Sequence, residues 1–180
     1  MRTYILNAAV AALAACLLFA SCSNSGQAEK LSKAEFHYKL ANNYFYDKQV
    51  PPALHELTTC LKLNPEHPDA HHLLGFIFFG RKDYARAEHH FKRALEIRPG
   101  FHEPRANLGA LYIAMKRWRE VLTVLEPLVD ATLYGTPHLV HNNLGVAYHE
   151  LRRWTKAMHH YRLSIFHKPQ FCLGYYNLGR

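Results

Sequence analysis

Fourteen histidines and four cysteines are spread over the 180 residues, and imidazole and thiolate are the side chains that most often hold zinc or move protons near neutral pH. Three histidine pairs stand out: His71-His72, His89-His90 and His159-His160. Neighbours on a helix project about 100° apart, so the two rings of such a pair cannot grip one ion. His67 with His71, and His138 with His141, come nearer to ligand spacing, but each straddles a helix start beside a proline and no third or fourth ligand joins it. His89-His90 and His159-His160 fall at the same place in two copies of an internal repeat, as a repeated outer surface would produce. A metal site is therefore not expected; at this density, partly exposed histidines would make partner binding sensitive to pH.

Catalytic signatures are missing as well. The sequence has no glycine-rich phosphate loop, no His-Glu-x-x-His zinc motif and no Gly-x-Ser-x-Gly elbow. We expect no enzyme, no cofactor and no small-molecule substrate; a hydrolase or metal-dependent enzyme using the histidines is the alternative from a different class. Cys60 replaces a small alanine of its repeat and reads as a buried apolar residue, with Cys172 three repeats away and beyond disulfide reach. A formal net charge of +8 admits nucleic acid, an anionic membrane surface or an acidic protein. Lysine and arginine are scattered, never in runs longer than two, which argues against nucleic acid. Arg117-Trp118-Arg119 and Arg152-Arg153-Trp154 are basic-aromatic clusters. Their tryptophans are expected to be structural, with solvated arginines that could touch acidic headgroups.

The elements that position these residues begin with a leader. Arg2, an apolar run from Ile5 to Ala20 and small residues before Cys22 read as a signal peptide over residues 1–21. Cleavage before an acylated cysteine makes Cys22 the lipidation site. Leu13-Ala14-Ala15-Cys16 is formally a cleaner motif, but more apolar residues follow it, whereas Cys22 is followed by a polar stretch. Residues 22–33 are expected to form a flexible tether. A multiply acylated cysteine would hold the chain on a membrane. Ser23 after Cys22, with no aspartate there, resembles the sorting signal for the outer membrane, which implies a periplasmic-facing, lipid-anchored protein.

From Ala34 onward a 34-residue period runs through windows starting at Ala34, Pro68, His102, His138 and Cys172. The seventh and eighth positions read Leu40-Ala41, Leu74-Gly75, Leu108-Gly109, Leu144-Gly145 and Leu178-Gly179. The eleventh is aromatic (Tyr44, Phe78, Tyr112, Tyr148), the twentieth small (Ala53, Ala87, Val121, Ala157) and the twenty-fourth large (Leu57, Phe91, Leu125, Tyr161). Pro65, Pro99 and Pro169 close three windows. This pattern resembles the tetratricopeptide repeat, a pair of antiparallel helices. It implies an all-α, right-handed superhelical solenoid of about four and a half repeats over 34–180: repeats 34–67, 68–101, 102–137 and 138–171 and a partial one at 172–180. The small residues let the two helices of a pair approach, and the closing prolines end the second helix.

The third window is two residues longer than the period, carries Pro127 inside its second helix, where a kink near Glu126 is expected, and exits through Leu133-Tyr134-Gly135-Thr136-Pro137. With the lipoprotein leader, this resembles the type IV pilus biogenesis and stability lipoproteins, pilotins of the outer-membrane secretin. That family usually carries about six repeats, more than are present here. The resemblance implies a non-enzymatic, protein-binding scaffold that promotes localisation and assembly of a secretin subunit, in twitching or gliding motility. An adaptor for cell-wall hydrolases or outer-membrane barrel assembly is the alternative. The partner groove is expected on the concave positions of the first helices: Tyr38, Asn42 and Phe45; His72, Phe76 and Phe79; Ala106, Ala110 and Ile113; Asn142, Val146 and His149. Mostly apolar with amides at its edges, this row suits an amphipathic helix or an extended apolar segment. The last helix, with Phe171, Leu173, Tyr175 and Tyr176, is expected to be sticky.

Overall fold

The computed structural model describes residues 26–129 and 135–179. The signal peptide, Cys22 and the exit residues Leu133 and Tyr134 lie outside them. The described residues are all helical or in connecting turns, without strands. Two compact units are present, one ending at His67 and one beginning at Pro68.

The first unit contains α1 (26–46) and α2 (Val50–Leu63). Residues 26–33, expected as tether, instead form the exposed opening turns of α1. Gln27, Ala28, Glu29, Lys30 and Leu31 are good helix formers, and Glu29 pairs with Lys33 at 2.6 Å across one turn. Pro51 and Pro52 occupy the first turn of α2, where a missing N–H leaves no bond unmade. Ala34, Ala41, Ala53, Leu57 and Cys60 are fully buried.

The second unit contains α3 (Pro68–Gly80), α4 (Tyr84–Ile97), α5 (His102–Ala114), α6 (Trp118–Leu125), α7 (Pro137–Glu150), α8 (Trp154–His167) and α9 (Cys172–Leu178). Each helix packs on the next, and α3 also packs on α5 and α5 on α7, the stacking of a repeat solenoid. Within a pair, the small eighth residue is obligatory. A Cβ on Gly75 would sit 2.6 Å from the Phe91 ring, on Gly109 2.4 Å from Leu125, and on Gly145 2.4 Å from Tyr161. Ala87, Val121 and Ala157 are buried opposite. The kink expected at Pro127 takes the form of a stop: α6 ends at Leu125 and a short 3-10 turn, Glu126–Leu128, follows with the proline in its first positions.

Every turn from a first helix to its partner has the same geometry. The second residue after each first helix is left-handed: Lys48, Lys82, Lys116 and Arg152, with φ of 60°, 61°, 57° and 58°. Its N–H bonds back three residues, and the following N–H five residues, as in Lys82 to Phe79 at 2.9 Å and Asp83 to Phe78 at 2.9 Å. This is a Schellman closure, whose left-handed position is normally glycine because an L-residue pays roughly 1–2 kcal/mol there. Asp83 adds a side-chain cap, accepting from the Arg86 N–H at 3.1 Å.

Candidate functional site

In the first unit the expected groove residues Tyr38, Asn42 and Phe45 lie half-buried on α1. Tyr38 packs on His67, ring centroids 4.9 Å apart, and His67 in turn lies 3.1 Å from the Glu35 carboxylate. His37 meets Glu56 on α2 at 2.5 Å. His67 therefore engages a carboxylate on α1.

In the second unit Phe76 is 44% exposed, with Phe79, Ala110, Ile113 and Val146 half-buried on successive first helices. Ala106 and His149 are half-buried as well. An apolar row is thus open to solvent along α3, α5 and α7. Two of its expected polar members are occupied. Asn107 donates to His72 Nε2 at 2.9 Å, and burial, partly opposed by Glu103 and Asp69, pulls the His72 pKa down. Asn142, expected as an open amide, is buried: α9 covers it, and its Oδ1 accepts from Asn177 Nδ2 at 2.9 Å. These amide ties link the fifth position of one repeat to the sixth of the next. Asn107 and Asn177 escaped the sequence reading, although asparagine at the sixth position of three windows (107, 143, 177) carried the signal.

The expected outward histidines divide. His89 and His159 are exposed, whereas His90 and His160 turn inward. His71 Nδ1 lies 2.9 Å from His90 Nδ1, and His141 Nδ1 lies 3.1 Å from His160 Nδ1. His90 stacks beneath Phe78 with centroids 5.6 Å apart, and His160 beneath Tyr148 at 5.3 Å. Burial, then the neighbouring rings, push His90 and His141 down to about 4; burial and His159 do the same to His160. One proton shared between two ring nitrogens satisfies such a pair; two protons would repel. Among the described residues no group of three or more His, Cys, Asp or Glu side chains is arranged to hold a metal ion.

A second polar cluster ties repeat to repeat. Tyr112 donates to Glu88 at 3.0 Å, Arg117 bonds Glu88 at 2.5 Å and also Glu120, and Lys92 lies 2.7 Å from Glu88. Although partial burial works against ionisation, the bonds from Arg117, Lys92 and Tyr112 hold the Glu88 carboxyl down at about 2. Tyr148 makes the matching bond to Glu126 at 2.6 Å. At the far end of the unit, α9 exposes Leu173, Tyr175 and Tyr176, as expected of a sticky helix. A cavity of about 290 Å³ opens beside it, lined by His149, Trp154, Met158, Tyr161 and Leu178 among others. Trp154, expected to be structural, is 52% exposed, and Trp118 is half-buried.

Residues 38–100 and 78–132 match models of the tetratricopeptide repeat. No curated protein sequence gives a significant match. Solved structures with similar folds include PilW, a widely conserved type IV pilus biogenesis factor, at 24% identity and TM-score 0.69, covering 78% of this chain and 64% of that one. PilF of Pseudomonas aeruginosa aligns at 20% identity and TM-score 0.74, over 85% of this chain and 68% of its own. MamA of Desulfovibrio magneticus RS-1 aligns at 22% identity and TM-score 0.74, over 82% of each chain. The chain spans about two thirds of the lengths of PilW and PilF, 64% and 68%. At these identities the likeness is one of fold.

Proposed function

We infer that this chain, a tetratricopeptide-repeat protein whose fold is a scaffold for protein partners, is a membrane-tethered adaptor that holds a segment of a type IV pilus secretin subunit. The observation that carries the reading is the apolar row of the second unit: Phe76, Phe79, Ala110, Ile113 and Val146 lie along successive first helices and are partly open to solvent. Such a row takes the apolar face of a helix or extended segment. In the first unit Tyr38, Asn42 and Phe45 supply a shorter row of the same kind. Asn142 no longer counts among the contacting residues, since α9 uses it. The choice of a pilus partner follows the sequence resemblance to the pilus lipoproteins, and PilW, a type IV pilus biogenesis factor, is among the solved structures that share the fold. Cys22 would carry the lipid, placing the adaptor on the periplasmic face of the outer membrane, where tethering raises the local concentration of subunits and favours ring assembly.

The test is the yield of heat- and detergent-resistant secretin multimers in outer membranes of cells lacking the protein. We expect multimers to fall sharply while subunits are still made. Neither Cys22→Ala nor Phe76→Ser/Phe79→Ser should restore them. Unchanged multimers would redirect the search to cell-wall hydrolases or barrel assembly. Restoration by the double serine variant would remove the apolar row from the function.

A further inference from the structure

Four turns place a cation where glycine is the residue of least strain. Lys48, Lys82, Lys116 and Arg152 are the residues of positive φ among those described, and no glycine is among them. Strain repeated with one charge type points to a use outside the fold. In the second unit α3, α5 and α7 pack in succession, so the turns that follow them line one edge. On that edge Arg81, Lys82, Lys116, Arg119, Arg152 and Arg153 are all exposed. None of these six has a side-chain ion pair among the described residues. Two acids of the same turns are engaged already, Asp83 by Arg86 at 2.6 Å and Glu120 by Arg117, which leaves Glu150, beside His149 at 3.5 Å, against six cations. The edge keeps an uncompensated positive charge.

Aromatic rings accompany it. Trp154, with Arg152, Arg153, Thr155 and Lys156, lines an open depression of about 310 Å³, and Trp118 holds the same place one repeat earlier. Unpaired cations beside an exposed indole suit a headgroup layer, where guanidinium and ammonium groups take phosphate oxygens and indole rests at headgroup depth. An acidic polypeptide would use the charge but not the ring.

We propose that this edge is a contact surface for a bilayer containing anionic phospholipid, with Lys82, Lys116 and Arg152 supplying the attraction and Trp154 entering the headgroup layer. The surface is separate from the apolar row and does not depend on what that row holds. Both tryptophans of the chain, Trp118 and Trp154, belong to it, so intrinsic emission reports contact wherever the leader sits. The full chain carrying Trp118→Phe is mixed with vesicles of phosphatidylcholine bearing brominated acyl chains, with or without phosphatidylglycerol. Quenching of Trp154 is expected to be roughly threefold stronger with the anionic lipid and to fade as salt shortens the screening length.

Lys82→Gly/Lys116→Gly/Arg152→Gly removes three charges while relieving three backbones. It should keep or raise the melting temperature yet weaken anionic-vesicle binding by about tenfold or more. Arg162→Glu/Lys168→Glu, away from the turns, should retain at least half of the quenching. Equal quenching by both vesicle types would overturn the proposal, as would quenching untouched by the triple glycine variant. So would an emission shift with polyglutamate but not with vesicles, which would assign the edge to an acidic polypeptide.

Discussion

The second and fourth repeats share an interior that the first and third lack. In both, a histidine at the fourth position faces a histidine at the twenty-third, His71 to His90 and His141 to His160, and an aromatic ring covers the latter. In both, an aromatic twenty-fourth residue, Phe91 or Tyr161, closes over a glycine. The first repeat puts Glu56 opposite His37, so a proton on that ring completes an ion pair. The third carries Arg105 and Val124 at the two positions and closes with the flexible Leu125 over Gly109. One helix-pair backbone thus accommodates three arrangements at a single pair of positions: His with Glu, His with His in two repeats, and Arg with Val. What distinguishes them is how they respond to a proton and to crowding.

Crowding gives the largest expected effect. Gly145→Val should destabilise by about 3 kcal/mol, since the Tyr161 ring cannot fold away from a new side chain, and Gly75→Val against Phe91 should do nearly as much. Gly109→Val should cost about 1 kcal/mol less, because the branched tip of Leu125 can rotate. Urea unfolding followed by circular dichroism measures all three, and equal losses would erase the distinction between ring and leucine closure.

Protons come next. His90, His141 and His160 have folded pKa values lowered to about 4, below the ordinary value of about 6.5. The unfolded chain therefore binds more protons between those limits. Stability should be full above about pH 6.5 and fall steadily as pH drops toward 4. His90→Glu/His160→Glu rebuilds the first repeat's pairing in both places and should hold the melting temperature more nearly constant from pH 7 to 5. A variant that falls as steeply as the parent would show that the histidine pairs are not the acid-sensitive element.

The smallest effect is expected at the repeat-to-repeat bonds. Tyr148→Phe removes the hydroxyl that donates to Glu126 and should cost about 1 kcal/mol. Tyr112→Phe should cost less, because Arg117 and Lys92 continue to satisfy Glu88. A reversed order would mean that the ionic cluster depends on the tyrosine.

Much of the fold could be read from the sequence because its determinants are local and periodic. The glycine at the eighth position, the alanine or valine at the twentieth and the large residue at the twenty-fourth meet as their spacing implied. Helix starts at Pro68, His102 and Cys172 coincide with the repeat windows, and α7 begins one residue early at Pro137. At His90, His160 and Asn142 the structure departs from the pattern because the side chain's partner lies on another element. Period alone made His90 and His160 look outward, because the opposing His71 and His141 sit 19 residues earlier on the facing helix. Asn142 looked open until α9 covered it. Residues 26–33 read as tether from the Ser/Asn/Gly/Gln content of the stretch 23–33, although helix propensity and the Glu29–Lys33 pair favour continuation of α1. Phe76 could be read as exposed because its position in the first helix is set by the same period that buries Leu74 and Phe78.

The two cysteines among the described residues differ as reagents. Cys60 is fully buried, and burial, with the Glu35 charge, lifts its thiol to about 12, so it holds almost no thiolate. Cys172 is exposed at the start of α9. A maleimide fluorophore would therefore choose between them by itself, giving α9 an environmental probe that senses whatever comes to rest against Leu173, Tyr175 and Tyr176.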